Sequence, residues 1–231
     1  TTSDTAVASM KDSMKSIQSL VQKALTATTS SEGKATIADE IESAKNTIYS
    51  LANSNTSGQY LFSGSSSSTQ AFQKDATTGK ITYTATNDNK SVNVETGSYT
   101  TQGVNGIELL YYTNNTAQAG EDLTFDENEI ILDKNGNQYK LLDNDNDGSF
   151  DGLYGDSSNT PLTVTDNGDG SFTVNNAGTT ALQSKYSIFD DLDKIINALK
   201  QQDSSGNTIT EDEATTLLSD ALSTVTNAYD T

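Results

Sequence analysis

Apolar positions recur along the first 54 residues with the spacing of a helical seam. Val7, Met10, Met14, Ile17, Val21 and Ala24 step by 3, 4, 3, 4 and 3, and Ile37, Ile41, Ala44, Ile48 and Leu51 step by 4, 3, 4 and 3. A period near 3.5 predicts two helices, each with a narrow apolar stripe. Between them lies Thr28-Thr29-Ser30-Ser31-Glu32-Gly33, where hydroxyls offer N-caps and Gly33 is expected to stop regular structure. So short a connection predicts an antiparallel pair. The spacing returns at the other end in Ile188, Leu192, Ile195 and Leu199. There Thr210 and Glu213 form a capping box ahead of Ala214, Leu217, Leu218, Ala221, Val225 and Ala228. Helices at both ends predict that the terminal segments pack together and that the middle is an excursion.

The middle alternates instead of stepping by three and four. Ile81, Tyr83 and Ala85, a turn at Asn87-Asp88-Asn89, then Val92 and Val94 predict a hairpin. Ile130 and Leu132 return through Tyr139 and Leu141 after Asn135-Gly136, a two-residue hairpin signal. Leu162 and Val164 return through Phe172 and Val174 after Asp166-Asn167-Gly168-Asp169-Gly170. The expected fold class is α+β: an elongated antiparallel helical bundle with β-hairpins, discontinuous over 1–111 and 181–231, and an inserted acidic β-rich domain over 112–180. Tyr111-Tyr112 falls at the boundary and is expected at a strand edge or in boundary core.

Composition removes chemistry. The 231 residues contain no Cys, His or Trp, and all 13 basic residues are Lys, against 32 acids, for a net charge of −19. No thiol nucleophile, Ser-His pair, disulfide or ordinary zinc site is available. Without Arg there is no bidentate phosphate clamp, and the charge repels nucleic acid and anionic membrane. Apolar residues make up 32%; even with 16 Gly counted in, the share stays below the ~45–50% of an average domain. Ser and Thr fill the gap, 28 and 34 of them. Two modest cores or an elongated shape suit that composition better than one large core. No run approaches the ~18–20 apolar residues of a membrane span, and there is no Sec-type signal.

One motif carries candidate metal chemistry. Asp143-Asn144-Asp145-Asn146-Asp147-Gly148-Ser149-Phe150-Asp151 places Asp143, Asp145, Asp147 and Asp151 at positions 1, 3, 5 and 9 and Gly at 6, the layout of a calcium loop. Position 12 is Tyr154 rather than the bidentate Glu, Asp156 lies two further on, and an acidic surface turn is the competing reading. Acid pairs suited to glycoside hydrolysis lack an aromatic Trp platform. The glycines at 79, 97, 103 and 106 are turn punctuation, since no Gly-Lys-Ser/Thr follows.

Ser50-Leu51-Ala52-Asn53 followed by Gly58 and Tyr60-Leu61-Phe62-Ser63-Gly64 resembles the bacterial flagellar hook–filament junction proteins, the hook-associated protein 3 family related to flagellin. Ser68-Thr69-Gln70-Ala71-Phe72 looks like that family's Thr-Gln-Pro-Phe segment with Ala71 in place of Pro. Ile37-Ala38-Asp39-Glu40-Ile41 and Ile188 through Leu199 are similar to its helices, whereas Tyr83-Thr84-Ala85-Thr86 departs from its Tyr-x-Gly-Asp. The resemblance covers roughly 1–110 and 181–231. It implies a non-enzymatic structural subunit, outside the cell on the flagellum and exported without a cleaved Sec signal. The implied partners are a hook-associated protein on the hook side, flagellin on the filament side, and itself. With Thr1 first, the chain reads as a central fragment lacking the terminal coiled-coil segments, and so as a monomer. The alternatives are a flagellin, or a calcium-dependent extracellular adhesion module centred on 112–180.

Overall fold

The computed structural model describes residues 2–26, 28–88, 90–95, 98–155 and 160–229. Five helices form: α1 (Thr2–Ala24), α2 (Ser31–Ala52), the short α3 (Gly106–Leu110), α4 (Ile188–Leu199) and α5 (Glu211–Tyr229). The chain divides into two compact units, one of 1–86, 90–106 and 188–231, the other of 87–89 and 107–187.

In the first unit, α1 packs on α2 and α5, and α4 packs on α2 and α5. Ion pairs fix the directions. Lys45 meets Asp193 at 2.7 Å while Lys200 meets Asp39 at 4.0 Å, so α2 and α4 run antiparallel. Met10, Met14, Ile17, Val21 and Ala24 of α1 are buried as the spacing predicts. Val7 is half-buried, and Ala6 takes the inward place beside it. In α2 the seam departs from expectation. Ala44 and Leu51 are half-buried, while Lys45 and Ala52 point inward beside Ile37, Ala38, Ile41 and Ile48. A lysine can occupy such a position because its methylene stem is apolar and its ammonium reaches a carboxylate at the end.

Gly33 does not stop the chain. It sits in the first turn of α2, where its N–H donates to the Ser30 side chain at 3.1 Å, so Ser30 is the N-cap. The capping box at the start of α5 forms as expected: Thr210 N–H donates to Glu213 at 2.9 Å, and Glu213 N–H donates to the Thr210 hydroxyl at 3.3 Å. Leu217 does not join the α5 seam and is 42% exposed.

Three small ribbons complete this unit: β1 (Asn55–Thr56) with β2 (Gln59–Tyr60), β3 (Phe72–Lys74) with β4 (Ile81–Tyr83), and β5 (Lys90–Glu95) with β6 (Ser98–Gln102). The hairpin expected between Ile81–Ala85 and Val92–Val94 is therefore replaced by two others. Strand β4 finds its partner behind it in β3, with Phe72 opposite Tyr83, and β5 finds its partner ahead in β6. Alternation marks a strand but carries no information about which neighbour it pairs with.

The second unit stacks two antiparallel sheets. Its strands are β7 (Tyr111–Ala117), β8 (Asp122–Asp126), β9 (Ile130–Asp133), β10 (Gln138–Leu142), β11 (Gly152–Gly155), β12 (Val164–Asp166), β13 (Ser171–Asn175) and β14 (Leu182–Ser187). One sheet has the order β11-β10-β9-β14-β7, the other β12-β13-β8. Ala117, Leu123, Phe125, Ile131, Leu153, Phe172, Val174 and Leu182, drawn from both sheets, make one core. Both hairpins expected here form, β9 with β10 and β12 with β13. At the first, Asp133 C=O accepts from Gly136 N–H at 3.0 Å and Gly136 takes φ +83°, making the connection longer than a two-residue turn.

Phe72 is fully buried and meets Tyr83 and Phe189 edge-on at 5.3 and 5.4 Å. Truncation to Ala is expected to cost about 3–5 kcal/mol, read as a lowered urea midpoint with an unchanged slope. A loss under about 1 kcal/mol would show that this aromatic cluster does not hold the bundle.

Candidate functional site

The motif Asp143–Asp151 forms the loop joining β10 to β11, where Leu142 pairs with Gly152. Each carboxylate is drawn inward by backbone donors. Asp143 accepts from Asp147 N–H at 3.2 Å and Gly148 N–H at 3.0 Å, Asp145 from Asp147 N–H at 3.3 Å, and Asp151 from Asn144 N–H at 2.6 Å. Asn146 and Gly148 adopt positive φ, +57° and +93°, which turns the chain tightly enough for these contacts. Asp143, Asp145 and Asp151 thereby offer oxygens all within 4.8 Å of one another. Asp147 does not join them, because its side chain accepts from Ser149 N–H at 2.8 Å in an Asx turn of its own. Tyr154, in the place of the missing Glu, accepts from the Asn144 amide at 3.0 Å. The Asp145 carboxyl is shaped by the Asp147 N–H, which lowers it, but the charges of Asp147 and Asp151 prevail and hold it above its ordinary range. Asp156 lies outside the described residues.

Two further acidic turns show what the same residue types do as pure structure. Asp133 accepts from Asn135 and Asn137 N–H and from the Asn137 amide, and Asp203 accepts from Ser205 and Asn207 N–H and from the Asn207 amide. The shared Asp-x-x-Gly-Asn pattern closes two separate loops by identical contacts. Convergence of three carboxylates is what distinguishes the 143–151 loop from these.

Ionisable groups also gather on the packed face of α2 and α4. Burial pulls the Lys45 ammonium down, but the hydrogen bond and charge of Asp193, with Glu42 at 3.2 Å, outweigh it and hold Lys45 charged above its usual range. Burial raises the Asp193 carboxyl despite Lys45. Asp190 is raised to about 6, chiefly by burial and further by Asp193 and Asp191, with Lys80 and Lys194 opposing. Glu129 of the second unit, a buried carboxyl, is raised mainly by burial; it accepts from the Asp126 N–H at 2.7 Å and the Asn114 amide at 2.8 Å. Lys45 is thus matched to Asp193 and Glu42, and Glu129 to two N–H donors. At the bundle end where α1 and α4 stop, a cleft of about 280 Å³ has Lys34 and Glu211 as its charged groups, and they pair at 3.4 Å.

The resemblance residues form the packing between α2 and the first ribbons. Asn53 clamps Phe72 at both backbone groups, its amide donating to Phe72 C=O at 3.0 Å and its oxygen accepting from Phe72 N–H at 2.8 Å. Phe62 and Ser63 are fully buried; Ser63 donates to Thr69 C=O, and Phe62 C=O accepts from Gly106 N–H at 2.9 Å. A Cβ on Gly106 would stand 2.6 Å from the Phe72 ring, which is why glycine occupies that position. Tyr111 is buried and Tyr112 half-buried, the latter 5.9 Å from the Tyr186 ring.

This is an α+β fold in which the N- and C-terminal helices share one bundle around an intervening run of strands. Solved structures it is similar to include flagellar proteins. It matches FlgL of Xanthomonas campestris at TM-score 0.53 and 14% identity, over 98% of this chain and 86% of that one. It matches the flagellar junction protein FlgL of Legionella pneumophila at TM-score 0.50 and 17% identity, over 97% and 88%. A putative flagellar hook-associated protein of Vibrio parahaemolyticus gives 0.50 and 15%, over 98% and 69%. No family model and no curated protein sequence matches the chain. At these identities the likeness establishes the fold, which this chain has over nearly its whole length. Among the described residues no helix is long and apolar enough to cross a membrane.

Sequence reasoning missed Lys45 because its partner Asp193 lies 148 positions away. The Asp190 environment gives a measurable pH signature. Its folded pKa of about 6 lies above the ordinary 3.8, so ionisation at pH 7 costs the folded state stability, and the cost is relieved as pH falls through about 6 towards 3.8. Asp190→Asn is expected to raise stability by about 1–2 kcal/mol at pH 7, less than the full shift because the side chain is only half-buried. The gain should shrink towards zero near pH 4, as followed by urea unfolding at several pH values. Equal gains at both pH values would rule out the raised pKa.

Proposed function

We propose that this protein is a structural, non-enzymatic subunit of the bacterial flagellum that joins the hook to the flagellin filament. The observation that carries the reading is a fold shared across 97–98% of the chain with flagellar junction proteins, together with residues such as Asn53, Phe62 and Phe72 at the positions that build it. On this reading the subunit works outside the cell, reached without a cleaved Sec signal. Its neighbours are a hook-associated protein, flagellin and other copies of itself. Physical character supports that role. A chain without Cys needs no disulfide to fold after export, and a charge of −19 keeps free subunits apart before assembly. Deleting the encoding gene is expected to leave cells with hooks and no attached filaments by electron microscopy. Filaments of normal number and length on the deletion strain would refute the junction role.

We further propose that the 143–151 loop binds calcium as a brace for the β10–β11 hairpin. Convergence of Asp143, Asp145 and Asp151 within 4.8 Å favours it, since hard carboxylate oxygens suit that ion and a cation relieves their mutual repulsion. The donor set fits only in part, having no bidentate Glu, so the affinity belongs in the weak class of extracellular modules, Kd about 10⁻⁴–10⁻³ M. Millimolar calcium is expected to raise the Tm of the wild type but not of Asp145→Asn. No heat of binding in calorimetry, and no shift in Tm, would remove the site.

A further inference from the structure

Charge is distributed unevenly over the outer faces of the bundle helices. Helix α5 carries Glu211, Asp212, Glu213 and Asp220 and no Lys, whereas α1 carries Lys11, Lys15 and Lys23 against Asp4 and Asp12. Along α5, Glu213, Leu217, Asp220 and Thr224 step by 4, 3 and 4, and all four are exposed, so they form one stripe beside the buried Ala214, Leu218, Ala221 and Val225. Leu217 is among the few large apolar side chains left exposed among the described residues. It is set between two carboxylates, and Ile209 lies beside it, half-buried at the foot of the same helix. Along α1, Val7, Lys11 and Lys15 step by 4, with Val7 half-buried and both lysines exposed. Neither Lys11 nor Lys15 nor Asp220 enters any described ion pair.

We infer that the Glu213–Leu217–Asp220 stripe of α5 docks against the Val7–Lys11–Lys15 stripe of α1 on a second copy of this chain. The two stripes are complementary in both respects that matter: two acids around one exposed leucine face two lysines beside one half-buried valine. A second copy is the favoured occupant because it alone brings the α1 stripe at a concentration equal to that of the α5 stripe. The surfaces differ from one another, so the contact is heterologous. Each chain offers one stripe to a neighbour on either side, and copies add in a ring or helical row rather than stopping at a pair. The contact is weak between isolated chains, because exposed ion pairs contribute little and the net charge opposes approach. It deepens the flagellar reading by naming a lateral surface, and its assembly role rests on that reading.

Zero-length carbodiimide coupling tests it, since this reagent joins Lys to Asp or Glu only in direct contact. Equal amounts of isotope-labelled and unlabelled protein are coupled at high concentration, and linked peptides carrying one labelled and one unlabelled half are mapped. Peptides linking Lys11 or Lys15 to Glu213 or Asp220 are expected to dominate these mixed products. In K11E/K15E the coupling amines themselves are gone, so Glu213 and Asp220 should lose their mixed links without gaining others, and mixing K11E/K15E with D220K should restore coupling between the two stripes with the charges exchanged. Mixed links scattered over the other lysines, links undiminished in Leu217→Ser, or no return of coupling when K11E/K15E is mixed with D220K would overturn the contact. Circular dichroism confirms that each variant keeps the wild-type helix content, and Leu217→Ser provides a second, uncharged variant expected to reduce the same links. Filaments in the gene deletion refute the flagellar role and leave the mapped contact standing; scattered links refute the contact and leave the role standing.

Discussion

The packing of α2 against α4 is the contact on which the remainder of this molecule depends. These helices are separated by the whole β-rich excursion, and bringing them together closes a very long loop. Closure entropy grows only with the logarithm of loop length, so the size of the excursion is a modest burden. What opposes closure must still be outweighed by a specific surface. That surface is Ile37, Ile41 and Ile48 with Leu192, Ile195 and Leu199, all buried, and it is aligned by Lys45 reaching Asp193. An ammonium in that position tolerates few alternatives, because displacing α2 by one turn would part Lys45 from Asp193 and leave it only Glu42 of its own helix. The pair therefore specifies register more than it adds stability.

The excursion eases the same closure from inside. Strands β7 and β14 carry the chain out and back, and they pair along almost their whole length, from Leu182 opposite Ala117 to Ser187 opposite Tyr111. Strand β14 ends at Ser187 and α4 begins at Ile188, with no linker between. The five-stranded sheet thus delivers the chain directly into the helix that must find α2. On its other side β14 pairs with β9, so it lies between β7 and β9 in the sheet.

Acidity is handled by geometry rather than by counter-ions. With 13 lysines for 32 acids, most carboxylates have no cation to pair with, and turns take up many of them through backbone N–H groups. Asp75 and Glu213 are lowered chiefly by the Thr78 and Thr210 N–H groups, and Asp169 and Asp203 chiefly by the Ser171 hydroxyl and the Asn207 amide, with backbone N–H groups adding to both. Asp190 and Asp193 are the converse, acids withdrawn into a helix interface where burial raises them.

The amino-acid sequence alone determined the elements and their faces wherever the governing contacts were local. The α1 seam, the Thr210–Glu213 capping box and the β9–β10 and β12–β13 hairpins depend on residues within a few positions of each other, and spacing reveals them. Tertiary structure decided everything that needed a distant partner. It placed Lys45 inward in place of Ala44, because only α4 supplies Asp193. It paired β4 with β3 instead of β5, because the Asn53 clamp positions Phe72 to receive Tyr83. It gathered Asp143, Asp145 and Asp151 but turned Asp147 away, because a nine-residue loop can aim each carboxylate only where a backbone N–H awaits it. And it left Leu217 in water although its spacing matched the seam: the inward arc of α5 is the narrow one of Ala214, Leu218, Ala221 and Val225, and Leu217 falls outside it.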